Sequence, residues 1–173
     1  MDSSSLLSSS PLSSVDLSLL SERVGLRMLA KGWRVATAES CTGGGLAAAI
    51  TLTSGSSAWF DCGIVSYSNQ IKQKVLDVNA DTLAIEGTVS EAVVVEMANG
   101  VMVLSCADVA VAITGIAGPN NDESKQPVGA VWIAWVLASG ETYTKLFYFS
   151  GNREQVRERA VEQGLYGLID LFN

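Results

Sequence analysis

Apolar residues recur at helical spacing in several stretches of the chain, and capping residues mark where these stretches begin and end. The first stretch follows Asp16, a residue type that caps helix N-termini, and stops at Gly32, which can end a helix in the left-handed conformation. A second begins at Ser90, another favourable cap, and a third runs from Gly151-Asn152 to about residue 171. The apolar faces of the first two helices are Leu17, Leu20, Val24 and Met28, and Val94, Met97, Val101 and Leu104.

Shorter apolar runs between these helices indicate strands, and two further short helices are predicted over residues 46–52 and 69–76. The predicted strands are residues 33–38, 64–67, 108–114, 130–138 and 142–149. The fourth strand is apolar on both alternating sets of positions, which is typical of a strand covered on both faces. The fifth alternates and is expected to pair with the fourth in a hairpin that turns at Ser139-Gly140.

This mixture of strands and helices predicts an α/β fold, a three-layer α/β/α sandwich around a sheet of about five strands. The sheet is expected to be mixed, because its last connection is a hairpin. The length of 173 residues, with 48% hydrophobic and 17% charged residues, fits one compact domain over residues 16–173. Residues 1–15 are rich in serine and leucine and are expected to form a disordered tail.

Charge and cysteine content narrow the class of partner. The net charge is −7 and lysine and arginine are scarce, so binding to nucleic acid is not expected, whereas a small ligand remains possible. No apolar run is long enough for a membrane span, and the N-terminus lacks the basic region of a secretory signal. The three scattered cysteines form no CxxC pair, and no histidine can complete a zinc site. These features predict a cytoplasmic protein without a metal.

A serine, a cysteine and three glycines follow the first predicted strand, within residues 37–45 (TAESCTGGG). Backbone N–H groups at such a turn into a helix can hold a phosphate or an oxyanion. Ser40 is a candidate nucleophile, and its alternative role is an N-cap or a phosphate ligand. Cys41 is the rival nucleophile, and its alternative is a small buried apolar residue. The chain has no histidine, so the base that would activate either residue must be of another type.

Lys72 is the candidate base. It lies just beyond the predicted strand that ends at Tyr67, and its amine can reach Ser40 if that strand neighbours the one before the serine. A lysine that acts as a base has to be desolvated, so that its neutral form is populated near neutral pH. The alternative is a solvated helix lysine, which is also the interpretation of Lys74.

Other candidate ligand-binding residues follow the ends of neighbouring strands, where open α/β sheets bind ligands. Tyr67 and Asn69 offer donors and acceptors, although asparagine and serine at a strand end are also typical of turns. Thr114 precedes a loop that contains Gly115 and Gly118, and glycine lets a backbone approach a ligand closely. The alternative is a simple exit from the strand.

Arg153 and Arg157 lie four residues apart at the start of the last predicted helix and share one face of it. Together they could clamp an anionic group. Cations near a helix N-terminus oppose the helix dipole, which indicates a purpose other than helix stability. The alternative is a surface helix on which these arginines pair with Glu154 or Glu158.

Seven segments, taken together, resemble the C-terminal domain of the competence/damage-inducible protein CinA and its stand-alone relatives, the nicotinamide mononucleotide deamidases. They are residues 37–44 (TAESCTGG), 55–60 (GSSAWF), 65–69 (VSYSN) with Lys72, 87–91 (GTVSE), 114–119 (TGIAGP), 127–129 (PVG) and 151–157 (GNREQVR). They span roughly residues 17–172 in order, and the set is specific although each segment alone is weak. The larger N-terminal domain of full CinA proteins has no counterpart here, and its activity is expected to be absent.

The resemblance implies an α/β/α sandwich with a mixed five-stranded sheet, and hydrolysis of the carboxamide of nicotinamide mononucleotide in pyridine-nucleotide recycling. The family's serine–lysine pair falls on Ser40 and Lys72. The other expected roles are oxyanion stabilisation by backbone N–H groups of Cys41, Thr42, Gly43 and Gly44, orientation by Tyr67 and Thr114, and phosphate binding by Arg153, Arg157 or glycine-loop amides. No cofactor is expected. The protein is expected to form a homo-oligomer. The alternatives are a non-catalytic nucleotide-binding or regulatory relative and an amidase for another pyridine amide.

Overall fold

The computed structural model describes residues 15–121 and 125–172. The predicted tail, apart from Val15, lies outside these residues, and Val15 itself packs partly buried against the core. The elements in chain order are α1 Leu17–Lys31, β1 Val35–Glu39, α2 Gly45–Ile50, a 3₁₀ turn Ser56–Ala58, β2 Phe60–Val65, α3 Asn69–Leu76, α4 Ala80–Glu86, α5 Glu91–Leu104, β3 Val109–Gly115, β4 Ala130–Leu137, β5 Thr142–Tyr148 and α6 Arg153–Asp170.

The five strands form one mixed sheet in the order β2-β1-β3-β4-β5. Strand β1 is parallel to both of its neighbours, whereas β4 is antiparallel to β3 and β5. The predicted hairpin between the last two strands is therefore confirmed. Because β1, β2 and β3 run in the same direction, their carboxyl ends meet at one edge of the sheet, where open α/β sheets bind ligands.

Helices cover both faces of the sheet, which confirms the three-layer sandwich. Helices α1, α2 and α6 pack on one face, and α3, α4 and α5 pack on the other. The central strands alternate between large and small residues: Val109, Val111 and Ile113 face the first group of helices, whereas Ala110 and Ala112 face the second. The small residues on the second face let α5 lie close to the sheet, because protein interiors are close-packed and the alanine side chains fill little of the space between helix and strand.

The predicted helix caps occur in the structure. The Asp16 carboxylate accepts the N–H groups of Ser18 and Leu19 at the start of α1, and Gly32 ends that helix with a φ of 67°. Ser90 caps α5 through the N–H of Val93. Such bonds satisfy donors at the helix start that have no partner within the helix.

Three predictions differ from the structure. Strand β2 begins at Phe60, four residues earlier than expected, and its Gly63 faces α2 so closely that a Cβ would lie 2.9 Å from Ala47. Helix α4 was not predicted, because only Leu83 of its seven residues is buried and no periodic apolar pattern marks it. Leu104, the last residue of α5, is 54% exposed, so helical spacing alone extended the buried face too far.

Candidate active site

A cavity of about 700 Å³ lies at the carboxyl ends of the three parallel strands, and its volume is in the range of small-molecule sites. Its wall comes from the ends of β1, β2 and β3, the loop after α4 and the start of α6. The lining residues are Ser40, Cys41, Tyr67, Asn69, Leu83, Glu86, Gly87, Thr88, Val89, Gly115, Ile116, Ala117, Gly118, Pro119, Asn120, Asn121, Lys125 and Arg153. The predicted convergence of three strand ends on one crevice is thus observed.

The structure brings Ser40 and Lys72 together beside this cavity. Lys72 Nζ lies 3.0 Å from Ser40 Oγ, at hydrogen-bonding distance. This contact follows from the parallel pairing of β1 with β2. Glu39 O accepts the N–H of Ser66, so the segments that follow the two strands begin side by side. Ser68 then caps α3, and the lysine projects from the first turn of that helix.

Lys72 is fully buried, so the solvated-lysine alternative is wrong. Besides Ser40, its Nζ contacts two backbone carbonyl oxygens, Ser66 O at 2.7 Å and Tyr67 O at 3.4 Å. Within residues 15–121 and 125–172, no carboxylate forms an ion pair with this amine. Burial lowers the pKa of Lys72 from 10.5 to about 8, and the electrostatic interaction with Cys41 acts in the opposite direction. A useful fraction of the amine is therefore neutral near neutral pH.

Cys41 lines the cavity, but its thiol is poorly suited to attack. Burial is the main cause that raises the pKa of this thiol to about 12, and the nearby Glu39 adds to it, whereas its own backbone N–H, Lys72 and Arg153 act against it. Because the thiolate is the reactive form of cysteine, the neutral thiol is a weak nucleophile at physiological pH. Ser40, whose Oγ contacts Lys72 Nζ, is therefore the better candidate nucleophile.

The turn after Ser40 uses two of the four N–H groups that were expected to face an oxyanion. Gly43 N donates to Ser40 O at 3.0 Å, and Gly44 N donates to the Glu39 carboxylate at 3.1 Å. These engagements correct the assignment of Gly43 and Gly44. Neither Cys41 N nor Thr42 N donates to another residue in the part of the chain that the structure describes. These two amides are the ones left for a ligand.

Glu39, which was not among the predicted site residues, organises the start of α2. Its buried carboxylate accepts N–H groups from Gly44, Leu46 and Ala47 at 2.9–3.1 Å. An acidic side chain at a helix N-terminus satisfies free donors and interacts favourably with the helix dipole. The signal in the sequence was an acidic residue at the end of an otherwise apolar strand, a few positions before a helix.

The two arginines of the predicted phosphate clamp separate in the structure. Arg153 lines the cavity, where its guanidinium donates to Gly118 O at 2.8 Å and to the Tyr67 hydroxyl at 2.9 Å. Arg157 is not among the lining residues, and its guanidinium instead donates to the carbonyl oxygens of Cys41 and Thr42. The two guanidiniums thus do not meet as one clamp in this structure, because Nε and Nη2 of Arg157 bind backbone carbonyl oxygens of the turn after Ser40.

Thr114 is fully buried and does not line the cavity. Its hydroxyl donates to Thr88 O at 3.0 Å, and the Thr88 hydroxyl donates to Asn69 at 2.8 Å. Thr114 thus holds the loop after α4 against the site, which corrects its expected contact with a ligand. The predicted residues Tyr67, Asn69, Gly115 and Gly118 do line the cavity.

Two charged cavity residues were not predicted. Glu86 ends α4, and Lys125 donates from the opposite loop to Ile85 O at 2.8 Å. Neither belongs to a motif, so only the tertiary structure reveals them. Among the described residues, no group of three or more cysteine, aspartate or glutamate side chains is arranged to hold a metal ion. The helices of residues 15–121 and 125–172 include none that is long and apolar enough to cross a membrane.

The fold and the site define an α/β/α protein with a buried serine–lysine pair at the mouth of a ligand-sized cavity. Comparison with known families matches residues 17–172 to the CinA C-terminal domain, and the chain belongs to this family. It is 49% identical over 157 residues to the nicotinamide-nucleotide amidohydrolase PncC of Escherichia coli K12. The aligned region covers 91% of this chain and 95% of that protein.

Two further comparisons agree with this assignment. The protein of the same name from Pseudomonas putida is 43% identical over 155 residues, covering 90% of this chain and 96% of that protein. The crystal structure of competence damage-inducible protein A from Klebsiella pneumoniae superposes with a TM-score of 0.88 at 43% identity, covering 91% of this chain and 97% of that one. The similarity therefore extends over nearly the whole domain.

Proposed function

We propose that this protein hydrolyses the carboxamide of nicotinamide mononucleotide to give nicotinic acid mononucleotide and ammonia. The observation that carries the proposal is the 3.0 Å contact between Lys72 Nζ and Ser40 Oγ in a site that excludes water from the amine. A serine needs a base to become a nucleophile, and a desolvated lysine can supply one. Relatives at up to 49% identity over most of the chain carry the corresponding name, which supports the choice of substrate.

The first half of the reaction is acyl transfer to the serine. Neutral Lys72 takes the Ser40 proton while Oγ bonds to the carboxamide carbon, and the carbonyl oxygen becomes an oxyanion. The N–H groups of Cys41 and Thr42 stabilise that oxygen, and a donor of this kind contributes about 3 kcal/mol. Lys72 then gives the proton to the amide nitrogen, the C–N bond breaks, and ammonia leaves.

The second half releases the product and restores the site. The nicotinoyl ester on Ser40 is attacked by water, and Lys72 accepts a proton from that water. The ester C–O bond breaks and the proton returns to Ser40 Oγ. The contacts of Lys72 suit both halves, because its carbonyl partners at Ser66 and Tyr67 hold the amine in place whether it is neutral or charged.

The nucleotide phosphate is expected to lie near Arg153, on the cavity wall. Arg153→Gln is expected to raise KM for nicotinamide mononucleotide at least tenfold, because a guanidinium–phosphate pair is a strong charge-assisted contact. The same substitution should change kcat/KM for nicotinamide riboside, which lacks the phosphate, less than threefold. Steady-state kinetics with both substrates measures this, and an equal loss on both would place the phosphate elsewhere.

The rate is expected to depend on pH through Lys72. Because the base must be neutral, kcat/KM should rise about tenfold per pH unit at low pH and level off above about pH 8, the pKa to which burial lowers this amine. Ammonia release at low substrate concentration between pH 6 and 10 tests the prediction. A profile that is flat from pH 6 to 8 would exclude a lysine base with this pKa.

The direct test is ammonia release from nicotinamide mononucleotide by purified protein without added metal. Release together with formation of nicotinic acid mononucleotide supports the proposal. Binding without release would indicate the nucleotide-binding relative, and release only from another pyridine amide would indicate a different amidase.

We further propose that the protein acts as a homo-oligomer in the cytoplasm. Three leucines on the outer side of α1, Leu19, Leu26 and Leu29, are each more than half exposed, and such apolar surface is suited to self-association. All three cysteines are free thiols, which suits a reducing compartment.

A further inference from the structure

The turn after Ser40 is held from outside by Arg157, which lies in the second turn of α6. Its Nε donates to Cys41 O at 3.1 Å and its Nη2 donates to Thr42 O at 3.0 Å. Arg157 does not line the cavity, so these two bonds are not substrate contacts. A planar guanidinium that bridges two successive carbonyl oxygens fixes the orientation of both peptide groups.

The orientation of each peptide group also sets its N–H. In a trans peptide the carbonyl oxygen and the N–H of the next residue point in opposite directions. Since Cys41 O points at Arg157, the N–H of Thr42 points away from α6. Since Thr42 O is also held, the N–H of Gly43 is directed at Ser40 O, the bond that closes the turn.

The turn needs such an external clamp because its own sequence is permissive. Gly43 and Gly44 both have positive φ values, 59° and 93°, and glycine moves between backbone conformations with little steric cost. On the other side of the turn, Glu39 holds only the N–H groups from Gly44 onward. The peptide group between Cys41 and Thr42 therefore has Arg157 as its side-chain partner among the described residues.

We propose that Arg157 is a positioning residue that aims the Thr42 N–H at the oxyanion formed when Ser40 attacks. This inference rests on the proposed function, and it assigns one of the two oxyanion donors and the side chain that directs it. Without the guanidinium, the peptide group between Cys41 and Thr42 can rotate and its N–H leaves the line of the oxyanion. The ground-state substrate carries little charge on that oxygen, so binding is affected less than catalysis.

The test compares Arg157→Met and Arg157→Lys with Arg159→Gln as the matched control. Arg159 lies on the same helix, is partly buried and donates to the carbonyl and hydroxyl oxygens of Ser150, far along the chain from the turn. Arg157→Met is expected to lower kcat for nicotinamide mononucleotide by 10- to 100-fold, because removal of an oxyanion donor costs about 10²–10³ and this donor is misdirected rather than removed. KM should stay within threefold. Arg157→Lys, with one point of contact, should lose about tenfold, and Arg159→Gln less than twofold.

A second readout follows the tetrahedral state directly. Pyridine-3-boronic acid binds a reactive serine when Oγ adds to the vacant orbital of boron and its proton passes to the Lys72 amine, and one oxygen of the tetrahedral boronate then occupies the oxyanion position. Its affinity should fall at least tenfold in both Arg157 variants, whereas affinity for the product nicotinic acid mononucleotide stays within threefold. A merely structural arginine would lower the melting temperature without separating the two ligands.

The outcomes distinguish the inference from the proposed function. If wild type hydrolyses nicotinamide mononucleotide and the Arg157→Lys variant, folded by circular dichroism, keeps kcat and boronate affinity within threefold, the positioning role is wrong. If wild type releases no ammonia, the proposed function fails, and boronate binding that is lost in Ser40→Ala and weakened in the Arg157 variants still supports the inference. Absence of Ser40-dependent boronate binding in wild type overturns both.

Discussion

Replacing Lys72 with methionine is expected to abolish amide hydrolysis and, at the same time, to stabilise the folded protein at neutral pH. Activity should fall at least 10³-fold, because the proposed base for Ser40 is lost. Stability should rise because the wild-type amine is fully buried, has no carboxylate partner among the described residues, and is disfavoured in its charged form by that burial. Methionine has a similar length and no charge.

The expected gain in the free energy of unfolding at pH 7 is about 2 kcal/mol. A pKa that is lowered from 10.5 in the unfolded chain to about 8 corresponds to about 3 kcal/mol, and the loss of the donor to Ser66 O and Tyr67 O offsets about 1 kcal/mol. Between pH 8 and 10.5 the unfolded wild-type chain binds a proton that the folded protein does not, so wild-type stability increases with pH. The advantage of the variant should therefore shrink as pH rises towards 10.5.

Urea unfolding of both proteins at pH 7 and pH 10 measures this, with Lys74→Met as the matched control. Lys74 lies on the same helix but is exposed, so its substitution should change stability by less than 0.5 kcal/mol. It should also leave turnover intact. An active Lys72→Met protein would remove the lysine from the mechanism. An inactive but destabilised variant would contradict the prediction that the buried charge of Lys72 destabilises the wild-type protein.

Replacing Ser40 with alanine is expected to eliminate turnover, with a loss of at least 10³-fold in kcat, while nicotinamide mononucleotide still binds. The substitution removes the nucleophilic oxygen and little else, because the serine hydroxyl has Lys72 as its partner and the backbone of the turn is held by its own bonds. Ammonia release measures kcat, and isothermal calorimetry measures the binding of the intact substrate.

Cys41→Ala distinguishes the two adjacent candidate nucleophiles. It keeps the backbone N–H that we propose as an oxyanion donor and removes only a thiol whose pKa burial raises to about 12, so kcat should fall less than tenfold. The opposite pattern, an active Ser40→Ala protein and an inactive Cys41→Ala protein, would make the thiol the nucleophile and assign the serine to a supporting role.

The start and end of most helices could be predicted because the interactions that decide them are local. Asp16, Gly32 and Ser90 act within four residues of their own positions, through caps and backbone conformation. Helix α4 was not predicted because it is short and buries one leucine, Leu83. Its formation depends on contacts with α5 rather than on a periodic apolar pattern of its own. The mixed sheet was predictable for a similar reason, since the hairpin between β4 and β5 is a local connection.

The residue types of the site could be predicted from the sequence, but the hydrogen-bond partners of those residues could be predicted less well. The segment around Ser40 and the position of Lys72 carried the resemblance to the family, and the structure places them in contact. The sequence paired Arg153 with Arg157 because they share a helix face, yet one faces the cavity and the other reaches Cys41 O, 116 positions away. Helical spacing fixes which side chains are neighbours on a helix, but not what lies opposite them.

The sequence by itself therefore determined most of the elements, the layered α/β arrangement and the chemical groups available at the strand ends, since these follow from local propensity, periodicity and motif. Only the tertiary structure decided that Lys72 is buried beside Ser40, that Glu39 and Arg157 hold the two sides of the turn, and that Thr114 supports a loop. These outcomes depend on desolvation and on hydrogen bonds between residues far apart in the chain. Such interactions arise only when β1, β2 and β3 lie side by side and α6 packs against them.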